Sequence, residues 1–67
     1  MRKTARPKEV VRILEKKGFV FFSQVGSHAQ YRHSDGRKTS VAMHPKDLPK
    51  GTFAAILKQA GISRDDL

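Results

Sequence analysis

The stretch HAQYRHSDGRKTSVAMH, residues 28–44, decides the fold because it contains two half-apolar runs on either side of an Asp-Gly pair. Ala29 and Tyr31 alternate with polar residues in the first run, and Val41 and Met43 do so in the second. This period of two is typical of strands with one buried face. An Asp-Gly pair between two such runs indicates a tight turn. The stretch therefore predicts an antiparallel β-hairpin.

The number of loop residues sets the register of this hairpin. With two loop residues, Tyr31 would oppose Ser40, and the apolar rows of the two strands would point to opposite faces. With three loop residues, namely residues 34–36 with Gly36 in the left-handed conformation, Tyr31 pairs with Thr39. The apolar side chains then share one face of the sheet. We therefore predict the three-residue loop.

The same register places polar side chains on the opposite face of the hairpin. His28 then opposes Ala42, and Arg32 and Lys38 point the same way. We expect His44 to project from this face as well, diagonally across the strand pair. The hairpin would thus present histidine and basic side chains together on one surface.

Helices are predicted on both sides of the strands. Residues 7–17 begin with proline and carry apolar side chains at i, i+3 and i+4 before Gly18 ends the pattern. Residues 53–60 show the same spacing, with Thr52 as the expected N-cap and Gly61 as the stop.

A further strand is predicted at FVFFSQV, residues 19–25, which is too short for another helix and rich in aromatic and β-branched residues. Two sets of side chains compete for its core side, and the sequence leaves the choice open: Phe19, Phe21 and Val25, or Val20 and Phe22. The order α-β-β-β-α predicts one α+β domain over residues 1–67, built as two layers with one sheet face open to a partner.

The two ends of the chain lie outside this order of elements. Residues 1–6 predict a flexible basic N-terminus. Ser63 with Asp66 three residues later predicts a capped final turn.

The composition indicates a polyanionic partner. Fourteen Lys and Arg against six Asp and Glu give a net charge of +8, and positive charge on so small a domain attracts nucleic acid. The absence of cysteine from the sequence excludes disulfides and thiolate metal sites. No apolar run reaches the roughly 20 residues that a membrane span requires. We therefore expect a soluble, cytoplasmic protein that does not associate with membranes.

His28 is the candidate reactive residue. It begins a strand directly after a predicted Gly26-Ser27 turn, where an imidazole can meet a substrate. Gly26 allows close approach of a phosphate, and the Ser27 hydroxyl can donate to one. Histidine can act as general acid or base near neutral pH. On spacing alone, the alternative is an exposed histidine without a function.

Other side chains are candidates for binding phosphate. His44 is a second acid or base, a phosphate contact, or a plain strand-end residue. No metal or other cofactor is expected, because no acidic residue stands at helical or hairpin spacing with the histidines. Contacts to an RNA backbone are expected from five basic residues: Arg32, Arg37, Lys38, Lys46 and Lys50.

A set of short elements in a fixed order carries a resemblance to a known family. They are Leu14-Glu15 with Lys17-Gly18-Phe19, Gly26-Ser27-His28, Tyr31-Arg32-His33 with Asp35-Gly36-Arg37, His44, and Gly51-Thr52 leading into residues 56–62. In this order and at this separation the sequence resembles the HicA (YcfA-like) toxins, which are mRNA interferases of bacterial toxin–antitoxin pairs.

The resemblance implies a fold, an activity and a partner. The family fold is similar to the double-stranded-RNA-binding domain, with both helices on one face of the sheet. The implied activity is ribosome-independent mRNA cleavage with His28 as the catalytic residue. The implied partner is a HicB-type antitoxin that covers the active face, so that operator DNA is contacted only through the antitoxin. The family often has proline where Ala42 stands here.

Two non-enzymatic functions remain as alternatives. One is a module that binds double-stranded RNA by its backbone and leaves it intact. The other is a subunit that serves only as an antitoxin-bound co-repressor. Removal of His28 separates the enzyme from the binder, because only the enzyme should lose an activity.

Overall fold

The structure is a computed structural model that describes residues 4–44 and 46–63. Three strands form one antiparallel sheet in the order β1-β2-β3. The predicted α-β-β-β-α order and the small α+β domain are confirmed, and the arrangement is consistent with a fold like the double-stranded-RNA-binding domain. The elements in chain order are α1 (Pro7–Lys16), β1 (Val20–Val25), β2 (His28–Arg32), β3 (Lys38–Ala42) and α2 (Lys50–Ala60).

Helix α1 begins at a proline and ends ahead of a glycine, as predicted. Pro7 occupies the first helical position. A backbone N–H at this position has no partner within the helix, so proline, which lacks it, loses no hydrogen bond here. Lys17 caps the helix, and Gly18 follows with a φ of +91°, which glycine adopts without steric penalty. A Cβ at Gly18 would lie 2.9 Å from Nε2 of His33. Both the backbone angle and the neighbouring ring therefore favour glycine here.

Helix α2 begins earlier than the sequence predicted. Its N-cap is Pro49, and Thr52 lies inside the first turn, so the prediction of Thr52 as N-cap is wrong. The physical reason is that the Pro49 carbonyl already accepts the Phe53 N–H at 2.9 Å, so the first helical turn begins three residues upstream of Thr52. The helix ends as predicted at Gly61, which has a φ of +68°.

The β2–β3 hairpin has the predicted register. Tyr31 pairs with Thr39, as a three-residue loop requires. Gly36 has a φ of +100°, and its N–H donates to the His33 carbonyl at 3.0 Å. The His33 N–H in turn donates to the Arg37 carbonyl at 2.8 Å, which closes the loop.

The core lies between the two helices and the inner face of β2 and β3, the face that carries Tyr31. The closest helix–sheet packing is against β3, so the edge strand β1 receives little cover from the helices. The Thr39 hydroxyl and the Gln59 side chain, 2.9 Å apart, join β3 to α2. The central buried side chains are Val10, Leu14, Phe19, Ala29, Tyr31, Val41, Phe53, Ile56, Leu57 and Ala60.

The apolar side chains of β1 are exposed. Of the two rows that the sequence left open for the core side, Phe19 is buried and the other members of both rows are exposed. The residue buried in this segment is Phe19, which precedes the strand and is 2% exposed. The exposed fractions are 58% for Val20, 54% for Phe21, 43% for Phe22 and 66% for Val25.

The described residues ahead of α1 pack against the loop before α2. The Leu48 N–H donates to the Ala5 carbonyl at 3.0 Å, and the Thr4 hydroxyl donates to the Leu48 carbonyl. Of the N-terminus predicted to be flexible, residues 1–3 lie outside the described residues. Asp66, which the predicted final capped turn requires, also lies outside them.

Candidate functional site

The sheet face opposite the core, called the outer face below, carries the candidate site. Strand pairing assigns residues to this face, because directly opposed residues share a face and neighbours along a strand alternate. It combines apolar side chains on β1 with polar and basic ones on β2 and β3. Its paired members are Val20, Ser23, Val25, His28, Gln30, Arg32, Lys38, Ser40 and Ala42.

His28 is an exposed side chain on a well-held backbone. It is the first residue of β2 and pairs with Val25 on one side and Ala42 on the other. Beyond this pair, the Met43 N–H donates to the Ser27 carbonyl at 2.7 Å, so the hydrogen bonding continues past His28. The imidazole is therefore open to solvent while its main chain is fixed by both neighbouring strands.

The turn before His28 leaves open space. Gly26 has a φ of +60°, and a Cβ placed on it would meet no protein atom within 4 Å. The side-chain amide of Gln24 donates to the Gly26 carbonyl at 3.1 Å, across the turn. Glycine is thus needed for its backbone angle and not for packing, and the space beside the turn can admit a phosphate.

Arg32 and Lys38 lie directly opposite each other on the outer face, and both are exposed. Like charges at opposed positions of a sheet destabilise it. The Arg32 guanidinium carbon lies 5.0 Å from the centroid of the Phe22 ring, in a cation–π contact. This pair of adjacent cations is the part of the outer face that gains most from a bound anion.

Arg37 is engaged within the protein. Its Nε lies 2.8 Å from Oδ2 of Asp35, its Nη1 donates to the Ala60 carbonyl, and its guanidinium lies 5.2 Å from the Phe19 ring centroid. The hydrogen bond from Arg37 is the main reason that the pKa of Asp35 lies below its ordinary value of 3.8. Arg37 thus ties the β2–β3 loop to the end of α2.

Tyr31 is buried on the inner face, and His33 is half-buried beside Phe19. The His33 ring packs edge-on against Phe19 with centroids 5.2 Å apart, and its Nδ1 accepts the Asp35 N–H at 3.1 Å. Tyr31 is 6% exposed. Burial raises the pKa of the Tyr31 phenol, and the charge of Glu15 raises it further.

His44 lies beside the start of α1. The expectation that it shares the outer face assumed that β3 continues through it, but β3 ends at Ala42. The His44 N–H donates to the Ala42 carbonyl at 3.0 Å, so the chain turns at this point. His44 lines a cavity of about 360 Å³ with Arg6, Pro7, Lys8 and Met43.

The two loop lysines among the predicted phosphate contacts are separated from the strands. Lys46 is exposed and lines a second cavity, of about 370 Å³, which His44 also borders. Lys50 is exposed at the first position of α2. The structure therefore groups the predicted residues into His28, Arg32 and Lys38 on the outer face and His44 and Lys46 beside this second cavity, in the segment between β3 and α2.

The sequence did not single out Phe22 as a functional residue. The strand pairing between β1 and β2 shifts between Phe21 and Ser23, which is a β-bulge at Phe22. The clue available in the sequence was a run of four large apolar residues, 19–22, with no alternation, which a half-buried strand would not contain. The bulge itself leaves no sequence signature.

Residues 4–44 and 46–63 hold no group of three His, Asp or Glu side chains that could bind a metal ion. Neither helix of this part of the chain is long and apolar enough to cross a membrane.

Residues 7–62 match the family model described as the HicA toxin of bacterial toxin-antitoxin. The chain belongs to the HicA toxin family. The match includes both helices, all three strands and the complete outer face. HicA toxins belong to toxin–antitoxin systems, so an antitoxin is the partner, and members of the family are generally RNases. No curated protein matches the chain.

Proposed function

We propose that this HicA toxin is a metal-independent endoribonuclease that cleaves mRNA with His28 as general acid or base. The observation that carries the proposal is the position of His28, exposed on the outer face between the open Gly26-Ser27 turn and the opposed cations Arg32 and Lys38. A reactive side chain, a place for a phosphate and two positive charges are thus carried by adjacent parts of one surface.

Histidine can drive RNA cleavage without a metal. A base removes the proton from a 2′-hydroxyl, whose oxygen attacks the adjacent phosphorus while the bond from phosphorus to the 5′-oxygen breaks. An acid protonates the departing 5′-oxygen, leaving a 2′,3′-cyclic phosphate and a free 5′-hydroxyl. Proton transfer by a positioned histidine contributes roughly 10²- to 10⁴-fold to such a rate.

The cations of the outer face support this chemistry. Arg32 and Lys38 repel each other in the free protein, and an RNA phosphate relieves that repulsion. A nearby cation also stabilises the charge that develops on the phosphorane. The Ser27 hydroxyl, next to His28 in the chain, can donate to a phosphate bound at the Gly26-Ser27 turn.

More distant basic residues would follow the RNA backbone. We assign Lys46 and Lys50 to this role because both are exposed. His44 is assigned to a phosphate contact because Arg6 and Lys8 line the same cavity. Arg37 contributes least to RNA binding in this account, since Asp35 and the Ala60 carbonyl already engage its guanidinium.

The antitoxin would silence the enzyme by covering this face. We propose a HicB-type partner whose acidic surface complements the net charge of +8, and which alone contacts operator DNA. The cytoplasm, where mRNA is available, is the proposed site of action. A module that binds double-stranded RNA without cleaving it is the second candidate, favoured by the α-β-β-β-α order.

Product chemistry tests the proposal. The purified protein is incubated in EDTA with an oligoribonucleotide that contains a mapped cleavage position and with the same oligomer carrying 2′-deoxyribose there. We expect cleavage of the first, with cyclic phosphate and 5′-hydroxyl ends, and none of the second at that position. Cleavage of the deoxy-substituted oligomer at the same bond, or complete inhibition by EDTA, would contradict the mechanism.

A further inference from the structure

We propose that Phe22 and Arg32 form a nucleobase-stacking site on the outer face, which selects single-stranded RNA. The inference rests on the RNA substrate of the proposed function but not on cleavage itself. It assigns a ligand, an unpaired base, to the aromatic residue that the core does not use.

The β-bulge turns two successive residues away from the core. Phe21 pairs with Tyr31, and their rings make an edge-on contact at 5.8 Å on the inner face. Simple alternation would send Ser23 inward as well, yet Ser23 pairs with Gln30 on the outer face. Phe22 is the extra residue between them, and its ring meets the Arg32 guanidinium of the outer face.

Phe22 is exposed although it is a large aromatic residue. Its exposed fraction is 43%, and its neighbours on β1 are more exposed still, with Val20 at 58% and Val25 at 66%. Exposed apolar side chains that adjoin one another mark binding surfaces more often than isolated ones do. Base stacking uses an aromatic face of this kind and accepts every base, because each base has a π-face.

Arg32 adds a second planar group to the site. Its guanidinium lies over the Phe22 ring at 5.0 Å, and guanidinium planes stack on unpaired bases as aromatic rings do. Lys38 lies directly opposite Arg32, so a phosphate beside the stacked base would neutralise two adjacent cations. The paired residues that define the outer face include no carboxylate, which favours a polyanion as the occupant.

The reaction itself requires a flexible strand. The attacking 2′-oxygen, the phosphorus and the departing 5′-oxygen must come into line, and the regular backbone of an A-form duplex holds them out of line. Unpaired nucleotides can reach this geometry, and their bases are free to stack on protein side chains. Phe22 lies on the strand next to His28 and two to three residues further along the sheet, which corresponds to a separation of about 10 Å. The stacked base therefore belongs to a nucleotide that neighbours the reacting one.

The test measures RNA binding separately from cleavage. All variants are made in the His28→Ala protein so that the RNA stays intact, and binding of a fluorescent single-stranded oligoribonucleotide is followed by anisotropy. Phe22→Ala should weaken binding about tenfold or more, since base–aromatic stacking is removed. Phe22→Trp should keep the affinity within about threefold, because a flat π-face remains.

Phe21→Ala is the matched control. It removes a phenylalanine that is at least as exposed as Phe22, from the same strand but from the inner face, and we expect less than a twofold change in affinity. Thermal unfolding shows whether each variant is folded.

The dependence of binding on salt adds a second control. The measured quantity is the slope of log affinity against log salt concentration. Phe22→Ala removes no charge and should leave this slope unchanged. Arg32→Ala should reduce its magnitude by about 0.7 for each phosphate that the arginine neutralises in the parent.

Several results would overturn the stacking site. One is a Phe22→Ala protein that binds single-stranded RNA as tightly as its parent. Another is a loss of affinity on Phe22→Ala substitution that is as large for an oligomer without bases as for the normal oligomer. A loss confined to the antitoxin, with RNA binding unchanged, would assign the patch to a protein partner instead. If the unmodified protein cuts no RNA but binding depends on Phe22 as stated, the proposed nuclease fails and the stacking site stands.

Discussion

His28 lies directly opposite Ala42 in the β2–β3 ladder, so the side chain that faces the imidazole from β3 is a single methyl group. Opposed Cβ atoms of a sheet lie about 4.5–5.5 Å apart. A longer side chain at position 42 would therefore reach over the imidazole. We therefore expect the small size of Ala42 to keep His28 accessible to the proposed substrate.

Substitution of Ala42 tests this expectation. We expect Ala42→Leu to lower the initial rate of RNA cleavage at least tenfold while it changes the free energy of unfolding by less than about 1 kcal/mol, the span of strand propensities. Ala55→Leu, at an exposed position of α2 in the other layer, should leave the rate unchanged. An Ala42→Leu protein that is folded and cleaves at the parental rate would show that the methyl group is not needed.

Arg37 and Lys38 are neighbours in the chain with opposite expected effects. Arg37→Met removes the bonds to Asp35 and the Ala60 carbonyl and should cost about 1–2 kcal/mol of stability, given that hydrogen bonds to charged groups contribute about 1.5–3 and that the side chain is partly exposed. Lys38→Met should leave stability within about 0.5 kcal/mol of the parent. It should weaken RNA binding more than Arg37→Met does.

Urea unfolding and RNA titration of the two variants give both comparisons. A destabilised Lys38→Met protein together with an Arg37→Met protein of normal stability would reverse the assignment of structural and binding roles.

Asp35 should make stability dependent on pH. Because Arg37 holds the pKa of Asp35 below 3.8 in the folded protein, its carboxylate stabilises the fold above that pH, and the stabilisation is lost as the pH falls through the lowered pKa. The difference in unfolding free energy between the parent and Asp35→Asn should thus be larger at pH 6 than at pH 2.5. A difference that does not change between these pH values would show that the contact contributes nothing to stability.

Two glycines should respond oppositely to alanine. Gly18 has a φ of +91° and a close ring neighbour in His33, so Gly18→Ala should destabilise the protein by about 1–3 kcal/mol. Gly51 lies in α2 with open space around it, and Gly51→Ala should stabilise by about 0.5–1 kcal/mol. Thermal unfolding of both variants checks the signs, and an equal shift in the same direction would contradict this explanation.

The hairpin could be predicted in detail because two local constraints agree. Alternation in residues 28–44 allowed only one register that brought the apolar rows together, and Gly36 supplied the left-handed residue that this register requires. His28 followed directly from that register. The helix ends at Gly18 and Gly61 were equally local, since the backbone angle at each depends on the residue itself.

The features that depend on tertiary packing could not be predicted. The side of the sheet on which Phe22 lies depends on the β-bulge between Phe21 and Ser23. Whether Phe21 is covered depends on the helices, which both pack chiefly on β3. The role of Arg37 depends on the end of α2 reaching the β2–β3 loop, where the Ala60 carbonyl accepts its Nη1. The position of His44 depends on a turn that ends β3 early. No spacing in the chain indicates these tertiary interactions.

The most direct test of the central claim is a comparison of the parent protein with His28→Ala on one defined mRNA in EDTA, with cleavage followed on a gel and binding measured in parallel. We expect chelator-insensitive cleavage by the parent and none by His28→Ala, which should remain folded and bind RNA because the side chain is exposed. If both proteins bind the RNA and leave it uncut, or if both cut it alike, His28 is not the catalytic residue of this toxin.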